Sequence, residues 1–179
     1  PDSAMDQWMA TDFTRERILN ADATTVSVGH YEGGVYNNYW VLIFSYPENS
    51  HTEDYRQEVL NLVNAQRAKY GLTALEMGDD NLTAAAQTRA EEIAVVNSHV
   101  RPDGSKCFTV LKDYGVTDTP TGENAAWGSV SPEEVVNAWM NSEGHRANIL
   151  NPEARKMSVG YYYNSNSTWG HQWIQIFTK

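Results

Sequence analysis

An internal repeat constrains this chain more than any other feature of its sequence. Residues 8–31 align with residues 139–162 without a gap, and 11 of the 24 aligned positions are identical. The identical pairs are Trp8/Trp139, Met9/Met140, Arg15/Arg146, Ile18/Ile149, Leu19/Leu150, Asn20/Asn151, Ala23/Ala154, Ser27/Ser158, Val28/Val159, Gly29/Gly160 and Tyr31/Tyr162. After a shift of two residues, Trp40, Ile43 and Phe44 match Trp173, Ile176 and Phe177. Such self-similarity predicts a repeated structural unit.

The position of the repeat predicts the domain organisation. Residues 1–46 are interpreted as the C-terminal half of one copy, and residues 53–179 as a complete copy of a normal size for a single hydrophobic core. Residues 47–52 form the predicted linker, because Pro47, Asn49 and Ser50 favour turns.

Composition excludes several classes of partner. The formal net charge of −10 argues against nucleic acid, whose phosphates would be repelled, and against anionic lipid surfaces. Cys107 is the single cysteine, so an intrachain disulfide is impossible. No apolar run approaches the ~18 residues that a transmembrane helix needs, and the chain is therefore predicted not to span a membrane.

The hydrophobic pattern of residues 52–179 predicts helices between Thr52 and Tyr70, from residue 80 or 81 to 97, and from Ser131 to a break at Gly144. Strands are predicted at 157–163 and 169–177, while 98–121 is mostly loop and 122–128 is ambiguous. In the last strand, Trp173 and Phe177 point one way and Ile174 and Ile176 the other. A strand that is apolar on both faces lies between helices, so we predict an α+β fold, an α–β–α three-layer sandwich with a small antiparallel sheet.

Residues 1–46 show a smaller version of the same pattern. Short helices are predicted at 3–10 and 14–19, followed by strands at 24–31 and 39–46 that are joined through Gly33 and Gly34. A hairpin of this kind is marginal by itself. Its apolar residues would be exposed, so we predict that this segment packs against something, and a homodimer through residues 1–46 is one candidate arrangement.

Three residues in distinctive settings are candidates for a functional site. His99 ends a predicted helix, Glu123 stands between Gly122 and Asn124, and His145 follows Gly144. If they converge, two imidazoles and a carboxylate are a typical ligand set for Zn²⁺ with an open position. Their separation in sequence carries no specificity, and the alternative is that each histidine caps a helix end or bonds a buried carbonyl.

Other chemistries stay open at this point. A serine mechanism would need Ser98, Ser105 or Ser142 beside a histidine that an acid orients. Cys107 could be a nucleophile, although a lone cysteine among apolar neighbours is more often a small core residue. The aromatic run Tyr161–Tyr163, with Trp169 and Trp173, could line a sugar or lipid groove, although such side chains on strands more often pack in the core.

Residues 53–179 resemble the CAP superfamily, also called the SCP or PR-1-like domain, in its bacterial-type branch. The resemblance rests on the stretches SHVRPDGS, GENAAWG, SPEEVVNAWMNSEGHRANILNP, MSVGYYY and QWIQIF, which occur in this order. It implies an α–β–α sandwich and a cleft with two histidines and two glutamates that can hold Zn²⁺ or another divalent ion. His99 and His145 match the histidines and Glu123 matches one glutamate. The second glutamate falls near Ser142, and the first copy has Thr14 in place of the second histidine.

The resemblance also implies secretion or cell-surface display, without fixing an activity. Our leading hypothesis is an extracellular binding module with a polar cleft at His99, Glu123 and His145, whose ligand is a protein, a glycan or a lipid. The rival hypothesis is a divalent-metal-dependent hydrolase, peptidase-like, in which the same three residues are the metal ligands and the catalytic candidates.

Overall fold

The structure is a computed structural model that describes residues 2–19, 23, 25–45 and 52–179, with no account of the side chains at 2, 13, 16, 17 and 52–54. The chain divides into two units, residues 1–50 and 51–179. The predicted linker at 47–52 lies outside the described residues except for residue 52. Within the described part of the chain, no helix is both long enough and apolar enough to cross a membrane.

The first unit consists of two short helices and a hairpin. Its elements are α1 (Asp2–Met9), α2 (Asp12–Ile18), β1 (Thr25–Glu32) and β2 (Asn38–Ser45). The strands pair antiparallel with Ser27 opposite Ile43. Val28, Val41 and Ile43 are 61%, 55% and 64% exposed, so much of the apolar surface of this hairpin is uncovered within the unit.

The second unit contains the remaining elements. They are α3 (Thr52–Lys69), β3 (Glu76–Met77), α4 (Asp80–Val95), a 3-10 turn (Cys107–Thr109), α5 (Val110–Asp113), β4 (Pro120–Trp127), α6 (Pro132–Asn141), α7 (Glu143–Ile149), β5 (Lys156–Tyr163) and β6 (His171–Thr178). Four strands form one sheet in the order β3-β5-β6-β4. The pairs β5–β6 and β4–β6 are antiparallel, and the two-residue β3 adds a parallel edge that the sequence did not predict.

The two faces of β6 explain the layers of the second unit. Trp173 and Phe177 pack in a cluster with Val63 of α3 and Trp139 of α6. Ile174 and Ile176 pack in a second cluster with apolar residues of α4. Because successive side chains of a strand alternate between faces, one strand supplies both clusters. The predicted α–β–α sandwich is confirmed.

Small side chains bring α4 unusually close to the sheet. Asp79 caps the helix by accepting a hydrogen bond from the Leu82 N–H at 2.9 Å. On the covered face, Ala85, Ala86 and Ala90 are completely buried. Gly160 of β5 lies directly beneath the helix, where a Cβ atom would overlap the Ala86 carbonyl and approach the Gln87 nitrogen to 2.9 Å.

The predicted helix break at Gly144 is wrong by two residues. Helix α6 ends at Asn141, Ser142 is extended, and Gly144 lies inside α7. The reason is that Arg146 Nη1 donates to the Met140 carbonyl at 2.9 Å, while the Ser142 N–H donates to the Trp139 carbonyl at 3.1 Å. These bonds satisfy carbonyls of the last helical turn, so the chain leaves the helix without needing a glycine.

Candidate functional site

The structure brings Glu123 and His99 into contact. Glu123 lies on β4 with its side chain 1% exposed, whereas the side chain of His99, in the loop after α4, is 53% exposed. His99 Nδ1 lies 2.8 Å from Glu123 Oε1. A buried carboxylate therefore orients an imidazole whose other face is open to solvent.

Arg89 of α4 holds the same carboxylate. Its Nε donates to Glu123 Oε2 at 2.9 Å and its Nη2 donates to Glu123 Oε1 at 3.2 Å, in the two-pronged arrangement that makes Arg–carboxylate pairs strong. Arg89 is completely buried. Its remaining contacts are to Glu92 at 2.6 Å and to the Ser98 carbonyl at 3.2 Å. Both oxygens of Glu123 are thus engaged by protein donors.

The ion pairs continue beyond Arg89. Glu92 also accepts from Arg101 Nη2 at 2.7 Å, and Arg101 Nη1 donates to Asp113 at 2.7 Å. Charges of alternating sign therefore run from Glu123 through Arg89, Glu92 and Arg101 to Asp113, and His99 bonds the first of these groups. This network fixes the loop after α4, which carries His99, against the helix and the sheet.

The pKa of Glu123 reflects two opposing effects. Burial alone would raise it, but the hydrogen bonds from His99 and Arg89 outweigh burial and hold the pKa of this carboxyl below its usual range. Glu123 is therefore ionised at neutral pH. A carboxylate that is paired with arginine in this way is a poor proton acceptor, and both of its oxygens are already engaged.

His145 lies in the same region, near His99. It lies on α7, and its backbone carbonyl accepts a hydrogen bond from Asn124 Nδ2 at 3.1 Å. Partial burial, and secondarily the proximity of His99, lower the pKa of the His145 imidazole. Among the described side chains, no hydrogen bond joins the His145 ring to His99 or Glu123. The structure thus pairs two of the three predicted residues and leaves the third nearby.

Amides of β4 and α7 hold the backbone of this region in place. Asn124 Nδ2 also donates to Gln175 at 3.0 Å, and Asn148 Nδ2 donates to Asn124 Oδ1 at 2.9 Å. A Cβ atom on Gly122 would lie 2.6 Å from Asn148 Oδ1, so this position needs glycine. The Gly-Glu-Asn sequence is therefore explained by three separate contacts, of which only the one at Glu123 involves the side chain of His99.

The donor set does not fit the predicted three-ligand metal site. Within the described ranges, no group of three or more His, Cys, Asp or Glu side chains is arranged to hold a metal ion. Glu123 is engaged by Arg89 and His99, and Ser142 stands where the resemblance implies a second acid. Two imidazoles remain, fewer than the three protein ligands of catalytic zinc sites.

The serine and cysteine candidates lack the surroundings that activate a nucleophile. Ser98 Oγ accepts from the Val100 N–H at 3.0 Å, and Ser105 Oγ bonds Thr109 Oγ1 at 2.8 Å. In the described part of the chain, no hydrogen bond joins Ser98, Ser105 or Ser142 to a histidine. Burial raises the pKa of the Cys107 thiol to about 11, so it is protonated at neutral pH and unreactive.

The aromatic residues of β5 and β6 divide between core and surface. Tyr161 and Trp173 are buried in the cluster beneath α3, and Tyr161 bonds His171 Nδ1 at 2.8 Å. Trp169 is 52% exposed in the turn that precedes β6. The alternative of core packing therefore holds for Tyr161 and Trp173, and these two residues line no sugar or lipid groove.

Sequence reasoning did not recognise the partner of Arg89, which lies on the buried face of its helix. The signal was present, because a charged residue within an apolar stripe must be paired when it is buried. Asn124 and Asn148 were missed for a different reason. Their partners lie far away in sequence, and polar amides give no periodic pattern that would reveal the contact.

We expect acid to destabilise the second unit through two histidines. Burial lowers the pKa of both His145 and His171 below the ordinary histidine value of about 6.5. As the pH falls, the histidines of the unfolded state therefore bind protons before those of the folded state. The free energy of unfolding is highest above about pH 7, and it decreases as the pH falls through the pKa of the unfolded state towards the lower pKa values of the folded state. Urea midpoints between pH 7.5 and 5.5 measure this loss of stability, and His145→Gln should make the midpoint less dependent on pH.

The same substitution at His30, an exposed histidine of the first unit, is the control. Equal pH dependence of the midpoint in both variants would contradict the role given to His145.

Comparison with known proteins defines the class to which this fold and site belong. Residues 60–177 match the family described as CAP, the cysteine-rich secretory protein family. The chain belongs to this family.

Two curated relatives come from Bacillus subtilis. The uncharacterized protein YkwD is 42% identical over 122 residues, a region that covers 67% of this chain and 47% of YkwD. The uncharacterized membrane protein YlbC is 33% identical over 115 residues, which covers 62% of this chain and 33% of YlbC. The chain thus spans half or less of the length of these relatives.

Solved structures share the fold. An extracellular SCP-domain protein from Bacillus anthracis superposes with a TM-score of 0.64 at 24% identity, over 78% of this chain and 47% of that one. An outer surface protein from Borrelia burgdorferi gives a TM-score of 0.64 at 23% identity, over 74% of this chain and 96% of that one. At these identities the likeness concerns the fold alone.

Proposed function

We propose that the second unit is an extracellular binding module that uses the cleft at His99, Glu123 and His145 to recognise a ligand without chemically changing it. The observation that carries this proposal is the Arg89–Glu123 ion pair. It engages the carboxylate that a hydrolase would need as metal ligand or general base. The exposed imidazole of His99 remains available to a ligand.

The cleft offers a defined hydrogen-bonding pattern. Because Nδ1 of His99 bonds Glu123 at 2.8 Å, the other ring nitrogen, Nε2, is free to meet a ligand. The lowered pKa of His145 keeps its ring neutral near pH 7. Two such rings suit hydroxyl and amide groups, which glycans and peptides display. The net charge of −10 keeps nucleic acid out of the proposal.

The extracellular location is supported by the names of two structural relatives. One is described as an extracellular protein and the other as an outer surface protein. The rival hypothesis of a metal-dependent hydrolase gains no support from the donor set, because Glu123 is engaged and the two imidazoles alone fall short of a catalytic zinc site.

We further propose that residues 1–46 represent the C-terminal half of a second, degenerate copy of the domain. Two matched features support this. Arg15 Nη1 donates to the Met9 carbonyl at 3.2 Å, as Arg146 does to the Met140 carbonyl. The hairpin register also matches, since Ser27 faces Ile43 as Ser158 faces Ile176. Association of two chains through this segment remains a prediction, which light scattering of the intact chain tests.

Ligand arrays test the binding module. We expect the intact chain to bind members of a glycan or peptide array, the binding to disappear in the His99→Ala/His145→Ala variant, and the bound probes to be recovered uncleaved. Glu143→Ala is the matched control, because Glu143 is an exposed acid two residues from His145. Cleavage of a bound probe that depends on His145 would establish an enzyme, and equal binding by the variant would place the site elsewhere.

A Zn²⁺ titration by calorimetry at pH 7.5 separates the two hypotheses further. We expect that the intact chain shows no saturable Zn²⁺ binding that depends on His99 and His145. Saturable Zn²⁺ binding that requires His99 and His145 would restore the metal-site hypothesis.

A further inference from the structure

The first unit has a groove of its own, in addition to the proposed cleft of the second unit. The groove has a volume of about 950 Å³, within the range of binding sites. Its lining residues are Ser3, Ala4, Gln7, Trp8, His30, Tyr36, Asn38, Tyr39 and Trp40. The rings of His30 and Trp40 stack with their centroids 4.1 Å apart. Aromatic side chains thus dominate the surface that the groove offers.

The matching positions of the second unit are not open. The repeat aligns Trp8, His30 and Trp40 with Trp139, Tyr161 and Trp173. These three residues are only 1%, 6% and 0% exposed. They belong to the cluster that also contains residues of α3. The groove of the first unit therefore occupies the place that helix α3 fills in the second.

One side chain of α3 makes the correspondence specific. Tyr55 packs edge-on against Tyr161 with ring centroids 5.1 Å apart, and it lies 5.6 Å from Trp173. The aligned pair in the first unit is His30 and Trp40, whose rings stack on each other. An aromatic ring that entered the groove from above would meet the same kind of surface as Tyr55 does.

The opposite face of the hairpin also has room for a covering helix. Gly160 must be glycine because α4 passes directly over it. Its counterpart Gly29 has only Val41 Cβ nearby, at 3.9 Å, and a β-branched or aromatic residue would favour a strand there. A glycine at this position leaves room for a second helix to cover the hairpin, as α4 covers Gly160.

We propose that the groove of the first unit is a docking site for an amphipathic helix of the α3 type, the first helix of a CAP-fold N-terminal half, which inserts an aromatic side chain between His30 and Tyr39 and over Trp40. This inference rests on the proposed half-copy and is independent of the ligand cleft. The uncharged residues that α1 contributes to the rim, Ser3, Ala4 and Gln7, suit the apolar face of a helix.

A glycan is the less favoured occupant. Two polar groups of the lining already bond each other, since His30 Nε2 lies 2.8 Å from Asn38 Oδ1. A sugar would have to compete with this contact, whereas an apolar helix face would leave it intact.

The test is a titration of the intact chain into a fluorescent peptide with the sequence of residues 52–69. An isolated 18-residue helix is marginal in water, so binding should raise both the anisotropy and the helical circular dichroism. We expect saturable binding that weakens at least tenfold when the peptide carries Tyr55→Ala. The chain variant Ala4→Trp, which fills the groove, should weaken it similarly. Met5→Trp is the matched control, because Met5 neighbours Ala4 on the same helix but does not line the groove.

Three results would overturn the proposal: absence of saturable binding, equal binding by the Ala4→Trp and Met5→Trp chains, or binding of N-acetylglucosamine oligomers in the groove without binding of the peptide. Hydrogen exchange of the Ser27 and Ile43 amides, which face each other in a hydrogen-bonded pair of the hairpin, tests the half-copy separately, because it reports whether the paired hairpin forms. A protected hairpin without peptide binding would reject the docking site and keep the repeat.

Discussion

Replacing Gly160 with alanine is expected to destabilise the second unit by about 3 kcal/mol, at the upper end of the range for overpacked cores. The added methyl group would overlap the Ala86 carbonyl. Backbone cannot rotate aside as a flexible side chain can, so α4 has to move away from the sheet. Its contacts with Ile174 and Ile176 would loosen as a result. Urea unfolding measures the loss, and hydrogen exchange should locate it in α4 and β5.

The alignment of residues 8–31 with residues 139–162 provides a matched control for this substitution. Gly29→Ala changes the corresponding residue of the first unit, where the new methyl group would meet only Val41 at an ordinary contact distance of 3.9 Å. We expect a change within about 0.5 kcal/mol, as for other substitutions on open surfaces. Equal losses for the two variants would show that the close approach of α4 is not the cause.

Replacing Arg89 with methionine is expected to cost about 3–5 kcal/mol, the range for breaking a buried ion pair by removing one partner. Methionine fills much of the volume, but it leaves the buried carboxylate of Glu123 without its main counter-charge. Glu92 is less affected because Arg101 still bonds it at 2.7 Å. The loss should be smaller at pH 5 than at pH 7.5, because protonation then relieves Glu123 of its uncompensated charge.

A double-mutant cycle separates the ion pair from packing. Glu123→Gln added to Arg89→Met should restore part of the lost stability, since the carboxylate that lacked a partner is then absent. Arg155→Met controls for the loss of an arginine, because Arg155 is exposed and bonds the nearby Pro152 carbonyl. Strictly additive effects of the two substitutions would contradict the pairing.

The architecture followed from sequence because one strand carried the necessary information. The alternation of Trp173 and Phe177 with Ile174 and Ile176 required helices on both faces of the sheet. The strand β4 could not be predicted with the same clarity. Its sequence contains Gly122, Glu123 and Asn124, which have low strand propensity, and pairing with β6 decides the conformation.

The site was predictable only in part. Distinctive settings singled out Glu123 and His99, which lie in contact. What the pattern could not supply was the role of Arg89, because its carboxylate partner lies 34 residues away. That partner matters for the chemistry of the site, because Arg89 engages both oxygens of the Glu123 carboxylate.

The position of β6 in the sheet sets the timing of folding during synthesis. This strand is central and pairs with both β4 and β5, yet it follows every other element of the second unit in the chain. A ribosome that adds 5–20 residues per second therefore takes roughly ten seconds to pass from α3 to β6. Throughout that interval, the apolar faces of α3, α4 and α6 have no sheet to cover them. Neither hydrophobic cluster can therefore close until the last strand emerges, and β6 completes both together.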